Sequence, residues 1–219
     1  QPQVLEGFSD GRTTTINFQD LEEGVLEICA YAKNYPLRAV LGVDEGTTVL
    51  ASRASKALGL THNPPNSVEA TANKLRFRTA IANSALLKPQ FTLLNIDANL
   101  AKSAREVTYP CVLKPLMLSA SRGVIRANNS DEFITAFHRI KRILKQPDVI
   151  IMGKDAQHIL VEGYISGREV ALEGLLEGGQ LTVLALFDKP NPLEGPFFEE
   201  TIYVTPSRLS KSWQKRVLD

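Results

Sequence analysis

Little in this chain commits it to the commonest kinds of site. Its 219 residues include two cysteines, three histidines, one tryptophan and two methionines. Cys29 and Cys111 each lie inside an apolar pattern, and no C-x-x-C pair occurs. They read as buried core thiols rather than a disulfide or metal ligands, which fits a reducing, cytoplasmic setting. His62, His138 and His158 are isolated, and there is no H-E-x-x-H. The formal net charge is +1, so bulk electrostatics give no basis for binding nucleic acid or a membrane surface. No apolar run approaches the length of a membrane span. No two glycines have the G-x-G spacing of a dinucleotide fingerprint, and there is no G-x-x-x-x-G-K-[ST] loop. Paired carboxylates of the glycosidase kind cannot be assigned. The chain opens on Gln-Pro-Gln, without an initiator methionine or a signal peptide, and stops at Val217-Leu218-Asp219. Both ends are expected to be cuts in a longer protein.

What is present centres on residues 109–126, Tyr-Pro-Cys-Val-Leu-Lys-Pro-Leu-Met-Leu-Ser-Ala-Ser-Arg-Gly-Val-Ile-Arg. A short apolar run ends in Lys114, a small polar stretch follows, and a second apolar run starts after Gly123. This is the pattern of a strand, a loop over phosphates and a return strand. The point charge of Lys114 suits a phosphate. Ser119-Ala120-Ser121-Arg122-Gly123 can offer backbone N–H groups and hydroxyls to anionic oxygens. An ordinary hairpin with a serine-rich turn has the same pattern. The expected hairpin pairs 109–115 with 124–127 and leaves 116–123 exposed, with few apolar anchors.

The rest of the chain alternates strands and helices. Asp20 and Glu23 form a capping box ahead of Leu21, Val25, Ile28 and Cys29 on one helical face. Leu37–Val43 is a continuous apolar run, expected as a strand buried on both faces. A helix is expected over about 47–58, and Asn63-Pro64-Pro65-Asn66 marks a linker. Together these imply a parallel sheet covered by helices up to residue 65. Asn66 and Glu69 form a second capping box for a helix running to about Leu86. A strand over 91–94 and a helix over 97–104 lead into the hairpin. Ser130 caps a helix whose Phe133, Phe137, Ile140 and Leu144 share one face. Strands are expected over 158–165, 168–177, 180–188 and 199–204, with a helix starting after Pro206.

Across these elements runs an ordered set: Lys74 at a helix start, Lys114 at a strand end, Glu162 closing an apolar strand, and Glu169 after Gly167-Arg168. A nucleotide needs cations for its phosphates, an apolar slot with backbone hydrogen bonds for its base, and an acceptor for its ribose. Lys74 and Lys114 could supply the first, residues 162–165 the second and Glu169 the third. Each alone could equally be a solvated helix lysine or an exposed strand end.

Taken in order, the set resembles the ATP-grasp superfamily of biotin carboxylase, carbamoyl-phosphate synthetase, D-alanine–D-alanine ligase and the L-amino-acid ligases. The resemblance covers nearly the whole chain. It implies an α/β protein with a partial, Rossmann-like preATP-grasp domain over 1–65. An incomplete two-lobed ATP-grasp domain would follow over 66–219, its first lobe at about 105–160. Asn73-Lys74 resembles the first lysine motif. Tyr109-Pro110 through Gly123-Val124 resembles the second lysine and its lid, with serines in place of some glycines. Val161-Glu162-Gly163-Tyr164-Ile165 resembles the adenine hinge, and Gly167-Arg168-Glu169 the ribose motif. Lys189-Pro190 and Pro196-Phe197-Phe198-Glu199-Glu200 are closest to the L-amino-acid ligase or carnosine-synthase-like branch.

The resemblance implies that Lys74 and Lys114 hold the phosphates of ATP and that Ser119, Ser121 and Gly123 form the lid. It further implies that Glu162 faces the adenine amino group, that Gly163 and Ile165 bond the base through their backbones, and that Glu169 binds ribose. The implied reaction is carboxylate–amine ligation, in which ATP phosphorylates a carboxylate and an amine displaces the acyl phosphate. The family's Mg²⁺ ligands, an acidic residue and a Glu-x-Asn pair, are expected beyond residue 219, so no metal ligand is assigned within the chain. The 219 residues alone are expected to be inactive. Small-molecule carboxylates and amines are the expected partners, and a homodimer could pair an unfinished sheet edge. The alternatives are a non-catalytic ATP-grasp-like module serving a partner protein, and a biotin-carboxylase-like enzyme.

Overall fold

A computed structural model describes residues 13–218. The chain divides between Ser84 and Ala85 into two compact units.

The described part of the first unit is helical: α1 (Leu21–Asn34), α2 (Glu45–Ala57), α3 (Pro65–Ala72) and α4 (Lys74–Ala80). Asp20 caps α1 by accepting from the N–H groups of Glu22 and Glu23, while the reciprocal capping box forms at Asp44 and Thr47 of α2. Ile28, Leu50 and Ala54 make the core, joined by Leu21, Val25, Leu37 and Val40. The strand expected over Leu37–Val43 is absent. Leu37 and Val40 pack inward, but Leu41 and Val43 are 83% and 93% exposed. No strand occurs among the described residues of this unit. Among the described residues the apolar run therefore has no ladder partner for its backbone and no second layer for its outer side chains.

The single helix expected from Asn66 to Leu86 is two helices. Asn73 breaks it with an extended backbone (φ −125°, ψ 116°), and its side chain caps α4 by accepting from Leu75 and Arg76. Glu69 caps nothing. Its carboxylate binds Arg53 of α2 and Arg76 of α4, tying three helices together.

The second unit is built on a four-stranded antiparallel sheet of β1 (Phe91–Asn95), β2 (Cys111–Pro115), β3 (Ile125–Ala127) and β4 (His158–Gly163), in the order β1-β4-β2-β3. Two helices, α5 (Leu100–Glu106) and α6 (Ser130–Leu144), belong to the same unit. The period-two alternation decides what the sheet carries on each face. Cys111, Leu113, Ile125, Ala127, Ile159 and Val161 share a core with Phe133, Phe137, Ile140 and Leu144 of α6. Val112, Lys114, Leu160 and Glu162 are on the opposite face. The cap of α6 is Asn129, which accepts from Asp131 and Glu132, and Ser130 is the first helical residue.

A short helix, α7 (Pro147–Ile150), and a 3₁₀ turn lead into β4. Beyond it, β5 (Val170–Glu177) and β6 (Gln180–Asp188) form a separate antiparallel hairpin. The strand expected over 199–204 reduces to a reciprocal pair of hydrogen bonds between Val204 and Asp188. A last helix, α8 (Lys211–Leu218), follows.

Candidate functional site

β2 and β3 pair as expected, Leu113 facing Ile125 and Cys111 facing Ala127. The loop between them is better anchored than its sequence suggests. Leu116 and Leu118 are buried and Ser121–Gly123 are half-buried, so the exposed part shortens to Ser119 and Ala120. Two hydrogen bonds, Arg122 N–H to Ser119 O and Val124 N–H to Ser121 O, wind it into consecutive turns. Ala120 and Ser121 both take left-handed backbone (φ 49° and 54°). That conformation costs a non-glycine residue roughly 1–2 kcal/mol and concentrates at ligand clamps. Gly123, at φ 80°, lies so close to the Pro115 ring that a Cβ there would meet Cγ at 2.9 Å. Arg122 ties the loop tip to Asp148 at 2.6 Å.

Lys114 lies one residue from the end of β2, and its ammonium is 2.6 Å from Glu162 Oε2 on β4. The register explains the pairing: Val112 is opposite Glu162 and Lys114 opposite Leu160, so Lys114 and Glu162 are diagonal neighbours on one face. The side chains are only 17% and 5% exposed, so the pair is largely withdrawn from water. Glu162, expected to face an adenine amino group, has Oε2 on Lys114. An ammonium has three N–H groups, so this bond aims Lys114 without exhausting it.

The chain leaves β4 as the segment 163–168. Gly163 N–H, expected to be without a strand partner, donates to Gln90 O at 2.9 Å, and Tyr164 N–H donates to Pro110 O at 3.0 Å. The segment is thus pinned from the β1 side and the β2 side. Ile165 then runs free: among the described residues its N–H and C=O make no backbone hydrogen bond. Arg126 of β3 stacks over the Tyr164 ring at 4.0 Å and donates to Glu194 O, while its own N–H donates to Pro196 O.

Glu169 precedes β5, and its carboxylate is 2.5 Å from the ammonium of Lys189, which follows β6. Lys189 also binds Glu200 at 2.6 Å, and Tyr203 O–H donates to the other oxygen of Glu200. Burial opposes the charge on Lys189, but the hydrogen bonds it donates to Glu169 and Glu200 outweigh it and raise its pKa above the ordinary lysine range. The bond from Lys189 lowers the pKa of Glu200, with help from Tyr203. Asp188 is buried and held low chiefly by the Ser207 hydroxyl and the Arg208 N–H, with Arg168 beside it.

Asp188 and Arg126 were not singled out in the sequence, and Lys189 only within Lys189-Pro190, without a role. Lys189 follows an apolar run that is closed by Asp188, a weaker form of the signal at Lys114. Arg126, between two buried apolar residues of a strand, carried none. Lys74 opens α4 in the first unit, whereas Lys114 belongs to the second.

A cavity of about 220 Å³ borders Gly163 and is lined by Phe91, Leu94, Val107, Cys111 and Val161. Cys111 and Val161 line it from the helix-covered face, and Glu162, which holds the Lys114 ammonium, lines it as well. Burial pushes the Cys111 thiol up to about 11, which leaves it unreactive.

A nucleotide fits these residues on three observations: the unpaired backbone at Ile165, the close Gly123 cradle, and a cation at the foot of a left-handed loop. A divalent metal does not. Among the described residues no group of three or more His, Cys, Asp or Glu could hold one, and Glu169 and Glu200 are already engaged by Lys189. No helix among them is long and apolar enough to cross a membrane.

Residues 107–219 match the ATP-grasp domain family. The chain is similar to an L-amino acid ligase from Bacillus licheniformis, with 26% identity and a TM-score of 0.78 over 92% of this chain and 47% of that one. It shares its fold with the biotin carboxylase domain of the Hydrogenobacter thermophilus 2-oxoglutarate carboxylase, a dimer in complex with MgADP, ADP and bicarbonate. There the identity is 15% and the TM-score 0.66, over 94% of this chain and 45% of that one. A Sinorhizobium fredii protein, described as uncharacterized protein y4rH, is 22% identical over 99% of this chain and 42% of its own length. The chain therefore spans less than half the length of these relatives. With the lysine strand, left-handed loop and open hinge inside the matched segment, which is just over half of its length, the chain belongs to the ATP-grasp family.

Proposed function

We propose that this chain is the nucleotide-binding part of an ATP-dependent carboxylate–amine ligase that works through an acyl-phosphate intermediate. The observation that carries the reading is Lys114: a largely buried cation at a strand end, aimed by Glu162 and followed at once by a loop with two left-handed residues. Lys114 holds the phosphates, with Ser119, Ser121 and Gly123 closing over them. Ile165 holds the base through its backbone beside Glu162, the Gly163 N–H being engaged by Gln90, and Glu169 takes the ribose. When bound, ATP supplies the phosphoryl group that activates a carboxylate. The protein's part is to position it and balance its charge. Mg²⁺ belongs to the proposal with its ligands outside these 219 residues, and no step is assigned to it here. The likeness to an L-amino acid ligase, at 26% identity and a TM-score of 0.78, favours amine ligation over the biotin-carboxylase-like alternative, whose likeness is one of fold. Small carboxylates and amines are the proposed substrates.

The test is calorimetry of ATP and ADP against the 219-residue chain, beside an assay of phosphate release with ATP, Mg²⁺ and a pool of amino acids. Nucleotide binding without turnover is expected. Absence of binding would remove the reading. Phosphate release above a Lys114→Ala control would relocate the metal site into this chain, with Glu199 and Glu200 the first residues to re-examine.

A further inference from the structure

We propose that Lys189 is a positioning residue, acting through Glu169 to set how the site reads the ribose of a bound nucleotide; this rests on the nucleotide-binding reading above. Two ion pairs side by side join the segment before β5 to the end of β6: Arg168 with Asp188 at 2.8 Å and Glu169 with Lys189 at 2.5 Å. The β6 partners are the fixed ones. Asp188 is buried, anchored by Ser207 and Arg208, and reciprocally bonded to Val204. The Lys189 side chain is 10% exposed, whereas Glu169 is 50% exposed. A half-exposed glutamate two residues after Gly167, which sits at φ 139°, would otherwise sample several rotamers. Lys189 holds it by Oε1. A carboxylate accepts on both oxygens, and among the described residues Oε2 has no partner, so it is the oxygen offered to a ligand hydroxyl.

Lys189 is in turn held by Glu200, whose second oxygen accepts from Tyr203, so its ammonium cannot drift with Glu169. The cleft beside Lys189, Asn191 and Thr201 is about 10 Å³, room for no more than a water. Lys189 therefore acts through its neighbour rather than by touching the nucleotide there.

The test compares ADP with 2′-deoxy- and 3′-deoxy-ADP by calorimetry, using the 219-residue chain and its Lys189→Met, Glu169→Gln and Lys189→Met/Glu169→Gln variants, with thermal melting as a check on folding. The unmodified chain is expected to prefer ADP. Lys189→Met should lose about tenfold of that preference, the scale of one hydrogen bond to a charged group. The double variant should lose no more than Glu169→Gln alone. Because Lys189→Met leaves Glu169 and Glu200 facing each other, Lys189→Met/Glu200→Gln removes that repulsion and decides the matter if the single variant does not fold. Preference for ADP surviving removal of Lys189 would overturn the proposal, as would a Lys189 effect of undiminished size in the Glu169→Gln background. Failure of the unmodified chain to bind ADP at all would instead overturn the nucleotide reading, and this inference with it.

Discussion

Lys114 and Glu162 meet because an antiparallel register makes them diagonal neighbours, which neither strand's own sequence reveals. The sequence marked both as strand-end charges, but the pairing came from the register. The pair sets up opposite consequences for binding and stability. Lys114→Ala should weaken ADP binding by roughly 1.5–3 kcal/mol, the worth of a hydrogen bond to a charged group, read by calorimetry. It should also destabilise the fold by about 3–5 kcal/mol, because it leaves the Glu162 carboxylate buried without its ammonium. The double replacement Lys114→Met/Glu162→Leu should recover much of that stability in chemical denaturation while leaving ADP binding lost. Recovery of binding as well would mean that neither charge serves the nucleotide. Lys189 was visible only as part of Lys189-Pro190, and its role was hidden because its partners, Glu169 and Glu200, flank it only after the chain has turned back on itself.

Elements with a strong period of their own were readable, and those defined by a partner were not. The α6 face of Phe133, Phe137, Ile140 and Leu144 and the β2–β3 hairpin follow directly from spacing. The run Leu37–Val43 failed as a strand because a strand needs a neighbour, and the helix after Pro65 broke where a buried Asn73 caps a new one. Asn129→Ala should cost α6, and with it the sheet, about 1 kcal/mol in denaturant unfolding, since its side chain satisfies two N–H groups of the first turn. The Asp188 anchor gives a pH test. Its carboxyl is depressed by Ser207, Arg208 and Arg168. The stability it contributes is therefore complete above the ordinary carboxylate pKa of about 4 and is lost as pH falls through its lower folded value. Ser207 leads into α8, which carries the chain's one tryptophan, Trp213. Trp213 fluorescence should show an acid transition in that window, and Asp188→Asn should remove the part due to this anchor. An unchanged profile in the variant would assign the whole transition to other carboxylates.

At the scale of the molecule, the chain is two compact units divided between Ser84 and Ala85. Leu86 and Leu87, just past the division, are largely exposed, so brief chymotrypsin treatment should cut there first, with the products identified by mass spectrometry. Protection of that segment while α6 is cut would contradict the division. The order of motifs made the family legible from sequence because it is a one-dimensional property. The side-chain partners of those motifs were hidden because they depend on which strands become neighbours. The chain spans less than half the length of these relatives, and the proposed nucleotide site is contained in what it does span. The most direct measurement is an ADP titration of the isotopically labelled chain followed by amide chemical shifts. The account predicts saturable shifts at Ser119–Gly123 and at Ile165, with α1 unmoved. Saturable shifts confined to residues around the Phe91–Val107 cavity, or no saturable shifts, would contradict it.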